Sequence, residues 1–321
     1  MTLLSPSVIA ILMIDAIFLL FGALAWIIAW QIVLKWNPSR ATPLQYALQK
    51  RGYLVATIAE FIFFLKLPLF LFYIHTLDEI ATVLPGAMCA AGVTTATVYG
   101  VPLFFVKILN LYLFGLWIVL HRLDMARPDL PYTRLKFALF LPLFLLMVVE
   151  TGLEWLQFMH INPHVIVSCC GTLFSATKNT AVATFISLPL PVTLGLFYGL
   201  FLGIVIAGWR KMTGLLAFLN LLFVPTAILS LIAFFSTYVY ELPHHHCPFC
   251  LLQSDYHYVG YLIYTALFVG TFGGMAAWLV RRLGGETWRK WLYTSMAGDF
   301  LYVALVSYYP IAFYIKNGVW L

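Results

Sequence analysis

Eight long apolar segments, separated by shorter polar loops, set the pattern of the chain. A helix needs about 20 apolar residues to cross the hydrocarbon core of a bilayer, and each segment reaches that length. Their approximate bounds are 8–34, 54–77, 101–120, 137–159, 186–208, 215–239, 260–280 and 293–315. The pattern predicts an all-α fold, a polytopic integral membrane helix bundle of about eight transmembrane helices that forms a single domain over residues 1–321.

The composition also indicates a membrane protein and excludes an ordinary soluble domain. Hydrophobic residues make up 63% of the chain and charged residues only 9%, whereas soluble domains carry about 25% charged residues. The net charge is +6, but the basic residues lie in loops that flank the membrane. The lipid bilayer is therefore the expected partner, and no nucleic-acid partner is needed to explain the charge.

Lysine and arginine are distributed unevenly between the two sets of loops. Fourteen of them lie in the loops after the first, third, fifth and seventh segments, and two, Lys178 and Lys316, lie on the other side. Since loops rich in Lys and Arg stay in the cytoplasm, we expect a multi-pass protein of the inner (plasma) membrane with both termini extracytoplasmic. All five cysteines, and every histidine except His121, then fall on the extracytoplasmic face.

The loop before the seventh segment, ELPHHHCPFCLLQSDYHY, concentrates side chains that bind metals or undergo redox chemistry. Its candidate metal ligands are His244, His245, His246, Cys247, Cys250 and His257. Two sulfurs beside imidazoles form a ligand set for zinc or copper. A CxxC at the start of a helix instead favours a thiolate that attacks disulfides. A structural disulfide in a wet interfacial loop is the third interpretation.

Three further cysteines lie in other extracytoplasmic loops, Cys89 in GAMCAAGV and the adjacent pair Cys169 and Cys170. Disulfides persist in oxidising compartments such as the bacterial periplasm, so thiol oxidation is chemically accessible on this face. Because adjacent cysteines would close a strained ring, Cys169 and Cys170 are expected to pair with other cysteines or to bind metal.

The run Cys247-Pro-Phe-Cys250-Leu-Leu resembles the CxxC that opens a transmembrane helix in the vitamin K epoxide reductase and DsbB families of membrane disulfide-forming proteins. In those families a quinone reoxidises the CxxC, and a second cysteine pair relays the disulfide to a partner. The resemblance implies that Cys247 and Cys250 are the quinone-proximal pair, with Cys89, Cys169 and Cys170 as shuttle candidates.

Several ionisable residues lie inside the apolar segments, where burial is costly and often marks a functional site. Glu150 and Glu154 are four residues apart and share a helix face, and Lys66 or Lys107 can neutralise them across a helix interface. Glu150, Glu154 and Lys107 are candidates for a proton route or a quinone headgroup site. Internal ion pairs that only specify helix packing are the alternative.

The leading functional hypothesis is a thiol-disulfide oxidoreductase at the extracytoplasmic surface of the membrane. It would be coupled to a quinone and would exchange disulfides with an extracytoplasmic thiol protein. The alternative is a copper- or zinc-binding subunit, or a haem-holding subunit, of an electron-transfer complex in the membrane. For haem, His75, His160 and His257 near the outer ends of their segments are the candidate axial ligands.

Overall fold

A computed structural model shows that the long apolar segments are helices. It describes residues 5–37, 42–164, 166–167 and 189–321, and within these ranges there is no β-strand. We number the eight long helices α1 to α8: α1 (Pro6–Lys35), α2 (Pro43–Ala81), α3 (Gly100–Met125), α4 (Thr133–His160), α5 (Leu190–Trp209), α6 (Thr213–Tyr240), α7 (Val259–Arg282) and α8 (Trp288–Asn317). All eight are long and apolar enough to cross a membrane, which confirms the predicted all-α fold with about eight helices of membrane-spanning length.

Most of the helices extend beyond the predicted apolar spans. The clearest case is α2, which begins at Pro43 rather than near residue 54. Its first turns are amphipathic and fall outside a hydrophobicity-based span, but proline is favoured at the first position of a helix. The fifth span was expected from residue 186, whereas α5 begins at Leu190, just after Pro189; residues 186–188 lie outside the described ranges.

The helices group into two compact units. The first unit comprises residues 1–85 and 93–166 and contains α1 to α4. Each of these helices packs against the next, and α4 packs back on α1, so the four form a closed bundle. An aromatic layer fills one level of its core: Phe63 stacks on Phe114 with ring centroids 4.2 Å apart and meets Trp117 edge-on at 5.2 Å.

The second unit comprises residues 86–92 and 167–321 and contains α5 to α8, which also close into a ring of neighbours. Glycines bring α7 and α8 into backbone contact. A Cβ atom added at Gly298 would lie 2.5 Å from the backbone nitrogen of Gly270, and one added at Gly270 would lie 2.3 Å from Oδ1 of Asp299. The glycines of the run GTFGG at 270–274 therefore form a packing face of the small-residue type that allows close helix approach.

Candidate functional site

Three cysteines from two distant parts of the chain meet in the second unit. The Sγ atoms of Cys89 and Cys247 are 3.5 Å apart, and the Sγ atoms of Cys89, Cys247 and Cys250 all lie within 4.8 Å of one another. Their relative exposures are 0%, 0% and 4%. We call these three residues the thiol cluster. It is a compact group of soft donor atoms that is almost completely shielded from solvent.

Two tyrosines hold the CxxC backbone from the flanking helices. Tyr240, the last residue of α6, donates its hydroxyl to the carbonyl of Cys247. Tyr264 in α7 donates to the carbonyl of Pro248 at 2.6 Å. Because both carbonyls belong to the Cys247–Cys250 turn, these bonds fix the direction in which its side chains project.

A side-chain bond ties the CxxC loop to the segment that carries Cys89. Gln253 donates from Nε2 to the carbonyl of Met88 at 3.0 Å. Met88 directly precedes Cys89, so the bond holds the two halves of the thiol cluster in register. The sequence alone gave no sign that residues 88 and 253 are neighbours.

The geometry corrects one expectation about the CxxC. Cys250 opens only a three-residue 3₁₀ turn, Cys250–Leu252, and the transmembrane helix α7 does not begin until Val259. The thiols therefore do not lie at the N-terminus of a long helix, and stabilisation of a thiolate by a helix dipole does not apply here. Two successive residues with left-handed backbone, His257 and Tyr258 with φ of 53° and 55°, separate the turn from α7.

Close packing of α7 against the loop requires a glycine at position 260. A Cβ atom added to Gly260 would lie 2.9 Å from the backbone carbon and oxygen of Leu251, which is closer than ordinary van der Waals contact. Leu251 follows Cys250 and is fully buried. Gly260 thus allows the residue next to the thiol cluster to rest on the start of α7.

We expect Gly260→Ala to displace the loop and disturb the thiol cluster, because backbone rather than a flexible side chain would have to move. The measurement is the rate of thiol alkylation in the folded protein, which should rise as the buried sulfurs become accessible. Gly195→Ala in α5 is the matched control, since no described atom would lie within 4 Å of its added Cβ. Equal alkylation rates for both variants would contradict this role of Gly260.

The three consecutive histidines have different environments. His244 is exposed, and His246 donates from Nδ1 to the carbonyl of Ile232 at 2.9 Å. Ile232 belongs to a π-helical turn of α6, Leu231–Phe235, a feature frequent at functional sites. His257 is exposed. The structure therefore brings together two of the predicted metal ligands, Cys247 and Cys250. It leaves His244, His246 and His257 outside the thiol cluster.

His245 differs from the other histidines of the loop. Its ring lies 4.2 Å from that of Tyr240, and its Nε2 is buried with no hydrogen-bond partner among the described residues. Burial lowers the pKa of His245, and Cys89 acts in the opposite direction. Burial thus favours the neutral form of this imidazole, and its Nε2 is left without a described partner.

The remaining cysteine and histidine candidates are placed as follows. Cys169 and Cys170 lie outside the described residues, so their shuttle role stays a prediction. His75 lies 3.7 Å from Glu79 one turn further along α2. His160 bonds through Nδ1 to the carbonyl of Leu156 at 2.8 Å. The haem hypothesis stays a prediction.

A second buried cluster lies in the core of the first unit and includes the candidates Glu150, Glu154 and Lys107. The Lys107 ammonium donates to Glu150 at 3.1 Å and to Glu154 at 2.8 Å. Lys66 donates to Glu150 at 3.0 Å and to Asp15 at 2.9 Å. We call these five residues the charge cluster. The prediction was that Lys66 or Lys107 can pair with a glutamate across a helix interface, and the structure shows such a pair for each lysine.

Sequence reasoning missed the neutral members of this region. Asn110 donates to Oε2 of Glu150 at 2.6 Å, and Tyr73 donates to Gln157 at 2.6 Å. Tyr73 also lies beneath Lys107, whose ammonium is 4.5 Å from the ring centre. Helical spacing could have found Asn110 and Gln157, because each lies three residues after a member of the charge cluster on the same helix face.

Comparisons of the chain with protein-family models, with curated proteins and with solved structures found no match.

Proposed function

We propose that the chain is a membrane protein that binds a soft metal ion on the sulfurs of Cys89, Cys247 and Cys250, and that copper(I) is the preferred ion. The observation that carries the proposal is the convergence of three buried sulfurs within 4.8 Å of one another. A disulfide needs two of these atoms, whereas a metal centre uses all three.

The spacing of the sulfurs supports a common metal ligand set. Metal–sulfur bonds to zinc are about 2.3 Å long, so three sulfurs around one such ion in a trigonal plane would lie about 4 Å apart. The observed 3.5 Å between Cys89 and Cys247 and the 4.8 Å limit for the group bracket that value. Thiolates favour copper(I) and zinc over hard cations.

The number of sulfurs favours copper(I) over structural zinc. Zinc in structural sites takes four ligands in a tetrahedron, and the described residues bring three thiols into the cluster. His245 is a candidate for a group that supports the centre and not for a fourth ligand, since its Nε2 is buried without a described partner but it does not belong to the donor atoms that lie within 4.8 Å of one another. Burial of the sulfurs protects bound copper(I) from oxidation and from competing soluble thiols.

The distribution of basic residues supports an extracytoplasmic position for this centre. The thiol cluster belongs to loops of the side that carries two of the sixteen loop lysines and arginines, which by the positive-inside rule is the outer side. Copper handling or electron transfer at that surface, alone or within a larger membrane complex, follows from this placement.

Titration of the purified protein with copper(I) against a coloured copper(I) chelator tests the proposal. We expect one tightly bound ion per chain, with His245→Ala weakening binding about tenfold, as loss of a supporting group near a metal typically does. His244→Ala is the matched control, because that neighbouring histidine is exposed, and it should bind as the wild type does. No copper(I) bound in excess of an all-serine variant of the three cysteines would contradict the proposal.

Thiol-disulfide exchange is the second candidate, and the 3.5 Å separation of Cys89 and Cys247 favours it. The Cys89 thiolate would attack Cys247 of a Cys247–Cys250 disulfide, form the Cys89–Cys247 bond and release the Cys250 thiolate. Net formation of a new disulfide would pass two electrons and two protons to a quinone, giving the quinol. The burial of all three sulfurs restricts access by a protein partner, and for that reason we rank this function second.

Acid-quenched alkylation with mass spectrometry separates the two functions. Copper(I) binding leaves all three sulfurs of the thiol cluster reduced in protein taken directly from the membrane. A Cys247–Cys250 or Cys89–Cys247 disulfide that opens when quinone is depleted would establish exchange and exclude the metal centre as the main function.

A further inference from the structure

The charge cluster of the first unit has one more negative than positive group. Asp15, Glu150 and Glu154 supply three carboxylates, and Lys66 and Lys107 supply two ammoniums. The exposures of these five residues do not exceed 4%. An uncompensated charge in such a place is costly, so these five residues lack one positive charge for neutrality.

Hydrogen bonding shows where that charge is missing. Both oxygens of Glu150 have hydrogen-bond donors, since its Oε1 accepts from both lysines and its Oε2 accepts from Asn110. Asp15 and Glu154 each accept from one lysine through one oxygen. Their other oxygens, Oδ2 of Asp15 and Oε1 of Glu154, are buried without a described partner.

The Asn110 side chain gives an independent sign of a missing donor. Its Nδ2 lies against the cluster at 2.6 Å from Glu150, while its Oδ1 is buried and has no described partner. One oxygen of each carboxylate lies within 4.8 Å of one oxygen of each of the other two. Three acceptor oxygens, on Asp15, Glu154 and Asn110, are thus buried without a donor among the described residues.

We propose that the charge cluster binds one exchangeable proton, shared between Asp15 and Glu154, while Glu150 stays ionised. The proton neutralises the excess charge, and it turns one unpartnered acceptor into a donor for another. A metal cation is disfavoured at this place because the two lysine ammoniums already lie about 3 Å from the carboxylates and would repel it. The proposal is independent of the thiol cluster.

The surroundings suggest the end of the bundle from which the proton exchanges. On one side, Tyr73 and Gln157 extend the polar contacts beyond Lys107. On the other side, the aromatic layer of Phe63, Phe114 and Trp117 separates the charge cluster from the ion pair of Lys136 and Asp124. The bonded polar groups continue only towards Gln157 among these described residues, so exchange takes place from that end.

Infrared difference spectroscopy of the full chain in detergent tests the proposal through the carbonyl stretch of a protonated carboxylic acid. We expect a band at neutral pH that shifts in D₂O and is lost in Glu154→Gln and in Asp15→Asn. Asp299→Asn in the second unit is the control for other buried carboxyls and should retain the band. Gln157→Leu should slow the shift after transfer to D₂O.

Labelling keeps the test valid if a variant fails to fold. In the wild type, ¹³C-labelled aspartate or glutamate should shift the same band, because the proton is shared between one residue of each type. A band that survives both Glu154→Gln and Asp15→Asn would overturn the proposal. So would its absence from the wild type together with a melting temperature that rises with sodium but not with choline, since sodium would then fill the site.

Discussion

Cys89→Ser should abolish tight copper(I) binding, although Cys89 lies 158 positions from the nearest cysteine of the CxxC. Serine is nearly the same size but offers a hard oxygen where a soft cation prefers sulfur. Since loss of a group that only supports a metal ligand costs up to roughly 100-fold in affinity, loss of a ligand should cost more than that. The measurement is the copper(I) dissociation constant by chelator competition.

Thr94→Ser is the matched control for this substitution. It also places a serine in the segment after α2, at a buried residue, but leaves the thiol cluster intact. The control should retain the wild-type affinity. If Cys89→Ser also bound copper(I) with wild-type affinity, the CxxC alone would hold the metal, and the three-sulfur centre would be wrong.

Lys107→Met should have the largest effect on the stability of the first unit. Methionine keeps the length and apolar stem of lysine but removes the ammonium that bonds both Glu150 and Glu154. Removing one partner of a buried ion pair typically costs about 3–5 kcal/mol, because the remaining charge stays buried without compensation. We expect a decrease of that size in the free energy of unfolding, measured by denaturant titration in mixed micelles.

An exposed ion pair provides the control. Lys316 lies 3.4 Å from Glu241, and their side chains are 68% and 57% exposed. Lys316→Met removes the same ammonium from an ion pair in water, where such pairs contribute about 0–1 kcal/mol. If Lys107→Met lowered the free energy of unfolding no more than Lys316→Met does, the stabilising role of the buried Lys107 ion pairs would be contradicted.

The number and type of the helices could be predicted from the sequence because membrane burial leaves a direct mark on it. Twenty consecutive apolar residues have one stable solution in lipid, a helix. The ends were predicted less well, as α2 shows, because its first turns lie outside the apolar run. Proline at position 43 was the available signal for its true start.

The residues of the candidate sites could be predicted from the sequence, but their contacts could not. All three members of the thiol cluster were recognised as cysteines of interest, but nothing in the spacing of residues 89, 247 and 250 says that they meet, since tertiary contacts between distant loops leave no periodic pattern. The start of α7 at Val259 agrees with the predicted start near residue 260, but the position of the CxxC in a separate turn before that helix was not predicted. The apolar residues Leu251 and Leu252 look like the first turn of a membrane helix, yet the chain turns through His257 and Tyr258 before α7 begins.

In the charge cluster the sequence showed which residues are ionisable, but not that three carboxylates would meet two ammoniums. Glu150, Glu154 and Lys107 were identified because charges inside apolar segments are conspicuous. The role of Asp15 depends on how α1 packs against α2 and α4, and that packing decides which carboxylate lacks a donor. Neutral residues such as Asn110 draw no attention in an apolar helix, although they complete the network.

X-ray absorption spectroscopy at the copper edge of the copper(I)-loaded protein tests the central claim most directly. We predict three sulfur neighbours at about 2.3 Å, the length of a zinc–sulfur bond, and only two in the copper(I) that Cys89→Ser still binds weakly. A first shell of nitrogen and oxygen only, or two sulfurs that persist unchanged in Cys89→Ser, would contradict a metal centre built by Cys89, Cys247 and Cys250.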